Sequence, residues 1–313
     1  MKISENERGL IVATIGLALV GFFYTRSIHK EIAHAEVIEQ ELKDYAESIK
    51  PFFDLALASK SFAIYNVDKN EFVYKKNAEQ VLPLASLAKV MSVVVALENV
   101  PQDHIFKIEK DSLSLAGDNG LLVDEKWRRD DLLKYTLVVS SNDAIHQVAM
   151  ETGKIISPNT ENPEQVFIDK MNEKARELKL NSLKFYNESG LDLIENGETK
   201  NGAYASARDM ARLFAYAIEN YPDIFSLTTQ KEATITSFDK EHTGTNTNPF
   251  VGEIDGLIAS KTGFTNISGG NLTVAVKDKK GEKMVVVVLG STFDERFSDV
   301  KSISSILSQN NVK

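Results

Sequence analysis

The hydrophobic pattern divides the chain into an uncharged opening, an amphipathic segment and a long mixed region. Gly9 to Tyr24, GLIVATIGLALVGFFY, carries no charge and lies between Arg8 and Arg26. That length suits a membrane-spanning helix or the core of a secretion signal, and both export the chain. The small-x-small triplet Ala33-His34-Ala35 follows a long charged stretch, so we read residues 1–26 as an uncleaved anchor. Lys2 and Arg8 on one side and Arg26 and Lys30 on the other leave its orientation undecided by charge. In residues 27–51, Ile28, Ile32, Val37, Ile38, Leu42 and Tyr45 recur at helical spacing among charges, which predicts a stalk helix closed by Pro51.

Residues 52–313 read as one further domain. SFAIYNV and EFVYKK, separated by DKN, predict a β-hairpin over residues 61–76, and a helical run begins at Ser86. From about 100 to 250, RRDDLLKYTLVVSS, NPEQVFIDKMNEKARELK and SARDMARLFAYAIENY repeat apolar positions at a period of 3.6. The tail turns β-branched in GLIASKTG, GGNLTVAVKD and EKMVVVVLGST, and a last amphipathic helix runs from about Asp294 to Ser308. Strands at both ends and helices between them predict an α+β fold, in which one antiparallel sheet is assembled from the two ends around a helical insert.

Composition narrows the function classes. A formal net charge of -9 and the lack of a basic stripe argue against nucleic acid as a partner. Without cysteine there is no disulfide, thiol nucleophile or thiolate metal ligand, which suits work outside a reducing cytoplasm. Five histidines, His29, His34, His104, His146 and His242, show no metal-ligand spacing, so neither metal nor cofactor is expected.

The candidate chemistry begins with Ser86 and Lys89 in LPLASLAKVMS. Residues three apart share one helix face, so the pair can act as nucleophile and base. S-x-x-K also occurs at Ser27/Lys30, Ser237/Lys240 and Ser298/Lys301 and alone decides nothing. To accept a proton Lys89 must be neutral, which burial and a second cation favour. Lys261, in the strand-like ASKTGFT, is the candidate for that cation, and Ser140-Ser141-Asn142 forms a polar loop between two helical segments. Ser237 and Ser298 fall too late in the chain and Ser27 lies in the stalk, which leaves Ser86 with both elements downstream and room for a helical domain between, and the three together carry information that none carries singly.

In this order the chain resembles the serine D-alanyl-D-alanine carboxypeptidases, the low-molecular-mass penicillin-binding proteins. LLKYTLVVSSNDA, FIDKMNEKARELKLNSLKFYNESGLD, YASARDMARL, IDGLIASKTGFTNISGGNLTVAV and VVVVLGSTFDERFSDVKSI extend the likeness over about residues 60–307. The resemblance implies a β-lactamase/transpeptidase-like fold, an antiparallel sheet flanked by helices with an all-helical subdomain. It implies an acyl-enzyme on Ser86, formed from the terminal D-alanines of peptidoglycan stem peptides and blocked by β-lactams. By the same likeness Lys89 takes the serine proton, Ser140 relays one to the leaving D-alanine, and Asn142 orients substrate and Lys89. Lys261 tunes their field, Thr262 binds the terminal carboxylate, Gly263 leaves room for substrate, and the N–H groups of Ser86 and Phe264 form the oxyanion hole. Arg296, in DERFSD, matches a carboxylate-binding arginine. The family commonly places tyrosine where this chain has Phe264, which keeps the N–H and loses the hydroxyl. Many members also continue into a β-rich domain and a C-terminal membrane helix, so the N-terminal anchor is expected to replace that attachment and hold the domain outside the membrane.

Three other functions use much the same residues. A D,D-endopeptidase would cut cross-links at the same site. A class A-like β-lactamase would use Glu177, in ELKLN, to activate the deacylating water. A non-turnover β-lactam sensor is disfavoured because only eight residues precede the apolar run. His242-Thr243-Gly244 imitates the Lys261 motif, Trp127 reads as packing, and Asp143 reads as a helix cap.

Overall fold

The computed structural model describes residues 5–114, 120–195 and 197–309. The described residues separate into two compact units, residues 5–51 and residues 52–309. The first unit is built on α1 (Glu5–Phe53), which runs unbroken through Pro51. Proline removes the bond to the carbonyl four residues back, so a stop is expected at Pro51, but the helix ends only after Phe53. The predicted stripe is present and open, with Ile32, Val37, Ile38, Leu42 and Tyr45 exposed. Among the described residues no helix is long and apolar enough to cross a membrane. The expected anchor, apart from Tyr24 to Arg26, lies outside the residues whose side chains are described.

The second unit holds a five-stranded antiparallel sheet in the order β3-β4-β5-β1-β2. The strands are β1 (Ser61–Asn66), β2 (Glu71–Lys76), β3 (Leu257–Thr265), β4 (Gly269–Lys277) and β5 (Lys283–Ser291). The two ends of the sequence meet where β1 pairs with β5, Ala63 opposite Val287, as the distribution of strand patterns predicts. Successive side chains of β5 point to opposite faces. Val285, Val287 and Leu289 enter the main core with α2 (Lys89–Asn99) and α6 (Ala207–Asn220). Met284, Val286 and Val288 are also fully buried, and the C-terminal helix α7 (Glu295–Gln309) packs on β4 and β5 with Val300, Ile303 and Leu307 inside. A strand buried on both faces reads as a continuous apolar run, which accounts for MVVVVLG.

Between β2 and β3 in the sequence come α3 (Arg129–Val139), α4 (Asn142–Ile156) and α5 (Pro163–Glu177). Trp127 is wholly buried against Tyr135 and His242 and packs in the core. His242 bonds Glu125 at 2.5 Å within a hairpin of Glu232–Thr236 and Glu241–Thr245, so His242-Thr243-Gly244 is structural. A Cβ on Gly244 would come within 2.3 Å of Val139 Cγ1.

Candidate active site

The site is built around one strained turn. Strand Val81–Pro83 pairs with Ala203–Ser206, and Leu84 N–H donates to the Ala203 carbonyl at 2.9 Å. Ala85 then takes a left-handed backbone, φ 48°, held by its N–H donating to Asn201 Oδ1 at 3.2 Å. For a residue with a Cβ that conformation costs roughly 1–2 kcal/mol. Ser86 therefore lies on a 3₁₀ turn, Ala85–Ala88, and the α-helix begins only at Lys89, where the sequence pattern places the helix start at Ser86 itself. Asn271, fully buried, anchors the strand before the turn. Its Nδ2 donates to the Pro83 carbonyl at 2.9 Å and its Oδ1 accepts from Gly290 N–H at 2.8 Å.

Two glycines let neighbouring backbone reach the turn. A Cβ on Gly263 would lie 2.6 Å from the Leu84 carbonyl oxygen and 3.2 Å from the nitrogens of Ser86 and Leu87. A Cβ on Gly190 would lie 1.9 Å from the Ala85 carbonyl oxygen. Gly263 thus brings β3 against the backbone of the Ser86 turn, a constraint additional to the room for substrate expected of it.

Lys89 is completely buried, and its Nζ donates to three acceptors: Ser86 Oγ at 2.9 Å, Asn142 Oδ1 at 2.7 Å and the Ser189 carbonyl at 3.0 Å. Burial lowers its pKa to about 7, and the Glu188 carboxylate acts in the opposite direction. An amine at that value is half neutral near neutral pH, as a base for Ser86 requires. Lys261, from β3, is also fully buried and donates to Ser140 Oγ at 2.8 Å and to the Thr262 carbonyl at 2.8 Å. Its pKa is held well below the ordinary value by burial first, then by the charges of Lys89 and Arg296. Burial lowers both amines, and the charge of each disfavours the charge of the other.

Ser140 ends α3 in a left-handed conformation, φ 61°, and Ser141 caps α4 by accepting from Ala144 N–H at 3.1 Å. The loop shrinks to two residues, with Asn142 the first residue of α4, and the cap is Ser141 where Asp143 is expected. Thr262 Oγ1 donates to Thr247 Oγ1 at 2.6 Å. Arg296, 3% exposed, donates from Nη1 to the Gly263 carbonyl at 2.8 Å and stacks 4.6 Å from the rings of Phe293 and Phe297. In this state its guanidinium braces β3 behind the site, beside the half-exposed Phe264.

The structure thus brings Ser86, Lys89 and Asn142 into one hydrogen-bonded group and Ser140 and Lys261 into another, with Thr262, Gly263 and Phe264 on β3 and Arg296, from α7, bonded to that strand. Glu177 lies elsewhere, half exposed at the end of α5 and 3.6 Å from Lys174. Motif reading misses Ser189 and Glu188, because a carbonyl acceptor and a lone glutamate leave no spacing to detect. It also misses Asn201 and Asn271, whose work is to hold backbone.

A model of the D-alanyl-D-alanine carboxypeptidase family matches residues 47–292. The chain is 31% identical to the D-alanyl-D-alanine carboxypeptidase DacF of Bacillus subtilis over 79% of its own length and 61% of that protein's. It therefore spans about three fifths of that relative. It is 30% identical to a D-alanyl-D-alanine endopeptidase of Haemophilus influenzae, over 78% of this chain and 79% of the other. Among solved structures it is similar to penicillin-binding protein D2 of Listeria monocytogenes in its ampicillin-bound form, with 27% identity and a TM-score of 0.67. That likeness covers 81% of this chain and 99% of that one.

Proposed function

The chain belongs to the D-alanyl-D-alanine carboxypeptidase family, and from that premise we propose that it is a serine D,D-carboxypeptidase that trims the terminal D-alanine from peptidoglycan stem peptides. The observation that carries the reading is the 2.9 Å bond between Lys89 Nζ and Ser86 Oγ, made by an amine that burial brings to about 7. Neutral Lys89 takes the Ser86 hydroxyl proton while Oγ attacks the carbonyl carbon between the two D-alanines. The oxyanion forms against the backbone N–H groups of Ser86 and Phe264, a type of donor whose loss typically costs about 3–4 kcal/mol. Ser140, held by Lys261, relays the proton from the Lys89 ammonium to the leaving amine as the C–N bond breaks, which leaves Lys89 neutral again. Water then hydrolyses the Ser86 ester, with the proton returning through Lys89. Thr262 and Arg296 serve the substrate's terminal carboxylate, Arg296 by exchanging its bond to the Gly263 carbonyl.

β-Lactams acylate the same serine in this reading, a proposal in keeping with the ampicillin-bound relative. The uncharged run from Gly9 to Tyr24 holds the catalytic unit to the extracytoplasmic side of the cell membrane. Two substrates test the activity: a stem pentapeptide and a cross-linked muropeptide, each incubated with the full chain in detergent. Release of free D-alanine from the pentapeptide supports the carboxypeptidase. Cleavage of the cross-link alone transfers the assignment to the endopeptidase, the activity named for the Haemophilus relative.

A further inference from the structure

A buried acid sits behind Lys89 that no motif announces. The chain turns tightly at residues 187–190, where Asn187 Oδ1 accepts from Gly190 N–H at 2.7 Å. Two side chains from one face of α2 hold the turn. Lys89 Nζ donates to the Ser189 carbonyl at 3.0 Å, and Ser92 Oγ donates to the Glu188 carbonyl at 2.6 Å. One face of α4 reaches Lys89 through Asn142 and the turn through His146. Asn142 Oδ1 accepts from Lys89 at 2.7 Å, and four residues on, His146 Nδ1 lies 3.0 Å from Glu188 Oε1. The helices that carry the base and its amide partner are thus bolted to one another through Glu188 and Ser189.

The Glu188 side chain is 3% exposed, and its Oε2 is buried with no hydrogen-bond partner. Glu164, in the first turn of α5, completes a cluster with His146 and Glu188 whose donor atoms all lie within 4.8 Å of one another. A buried carboxylate with an unpaired oxygen is costly unless opposite charge lies near. His146 meets part of that need from 3.0 Å, and Lys89 adds positive charge at the moment it takes the serine proton.

We infer that Glu188 is a positioning residue for the acylation step: its clamped turn aims Lys89 at Ser86, and its buried carboxylate stabilises the ammonium that forms there. This deepens the proposed function and rests on its reading of Lys89 as the base. A fixed charge aimed at one that develops in the transition state acts without reorganisation, which is how preorganised sites lower barriers. The groups facing Lys89 are Ser86, Asn142, the Ser189 carbonyl, Lys261 and Glu188. Those facing Glu188 are His146 from α4, Glu164 from α5 and Lys89 from α2, with Asp143 acting on His146. Glu188 raises Lys89 against the effect of burial, and its bond with His146 raises the histidine.

The test is the second-order rate of acylation by a fluorescent penicillin, measured from about pH 5 to 9 on the full chain with Glu188, Glu188→Gln or Glu188→Asp. Removing the carboxylate removes an upward influence on Lys89, so in Glu188→Gln the acid limb moves to lower pH by about one unit. The plateau falls at the same time, because a weaker base receives the proton. Glu188→Asp keeps the charge and restores the limb. A Glu188→Gln protein with native circular dichroism, lower rates at every pH and an unmoved limb would overturn the inference and leave a purely structural role. A limb in the unsubstituted protein that shifts on chelation and returns with zinc would also overturn it, by assigning the effect to a cation in the cluster. Failure of the underlying reading looks different: penicillin labelling that survives Ser86→Ala.

Discussion

Lys89 Nζ donates to Ser86 Oγ at 2.9 Å from a position with no solvent exposure. Ammonium is disfavoured there and neutral amine favoured, so geometry and protonation agree on one role. With Lys89 at about 7, the rate of acylation falls tenfold per pH unit below that value and levels off above it. Lys89→Arg puts a permanent charge in the same place and is expected to lower acylation by at least about 10³-fold while leaving the fold intact. A stopped-flow pH profile of penicillin binding checks both outcomes.

The two buried amines also leave a mark on stability. Lys89 and Lys261 are both held below the unfolded lysine value of 10.5. Between about 7 and that value the unfolded chain binds more protons at these residues than the folded chain, so stability rises with pH. The expected result is a higher urea midpoint at about pH 9 than at about pH 7.5, with a smaller rise in Lys89→Met. A falling midpoint over that window would contradict the burial of the pair.

Gly263→Ala tests the approach of β3 to the Ser86 turn. The added methyl meets a backbone carbonyl at 2.6 Å, which no rotamer change relieves. The strand must shift, at a cost of about 1–3 kcal/mol, and Ser86 N–H shifts with it. Acylation is expected to fall by about 10²-fold or more, beyond what the loss of stability explains. Urea unfolding measured beside penicillin labelling separates the two effects.

Asn271→Ala removes two bonds at once and leaves the Pro83 carbonyl without its donor. A loss of about 2–3 kcal/mol is expected, because a buried group loses its partner as well as its bond. Asn271→Asp keeps the acceptor for Gly290 N–H but sets a carboxylate against the Pro83 carbonyl, and is expected to be no better. Denaturant midpoints of the two variants check this.

Much of this architecture was legible because it depends on short-range pattern. Two strand-like runs about a DKN turn gave β1 and β2, the β-branched run gave β5, and a period of 3.6 gave α3, α5 and α6 within a residue or two. Chain order then selected Ser86 from four matches to S-x-x-K, and the structure places Lys89, Asn142, Ser140 and Lys261 around it. What stayed hidden depends on contacts between distant segments. Ala85 takes a left-handed backbone because Asn201 holds its N–H, and no local propensity predicts that of an alanine. His146 looked like an ordinary polar residue until the fold set Glu188 against it, 42 positions along the chain. The lowering of both lysines also depends on burial, which spacing does not report.

The central claim is that Ser86 is the acylated nucleophile. The most direct measurement is peptide mapping by mass spectrometry of the full chain after brief exposure to penicillin, alongside Ser86→Ala. A single adduct on the peptide that carries Ser86, lost in the variant whose circular dichroism is unchanged, is the predicted result. An adduct on any other residue, or labelling that persists without Ser86, would contradict the account.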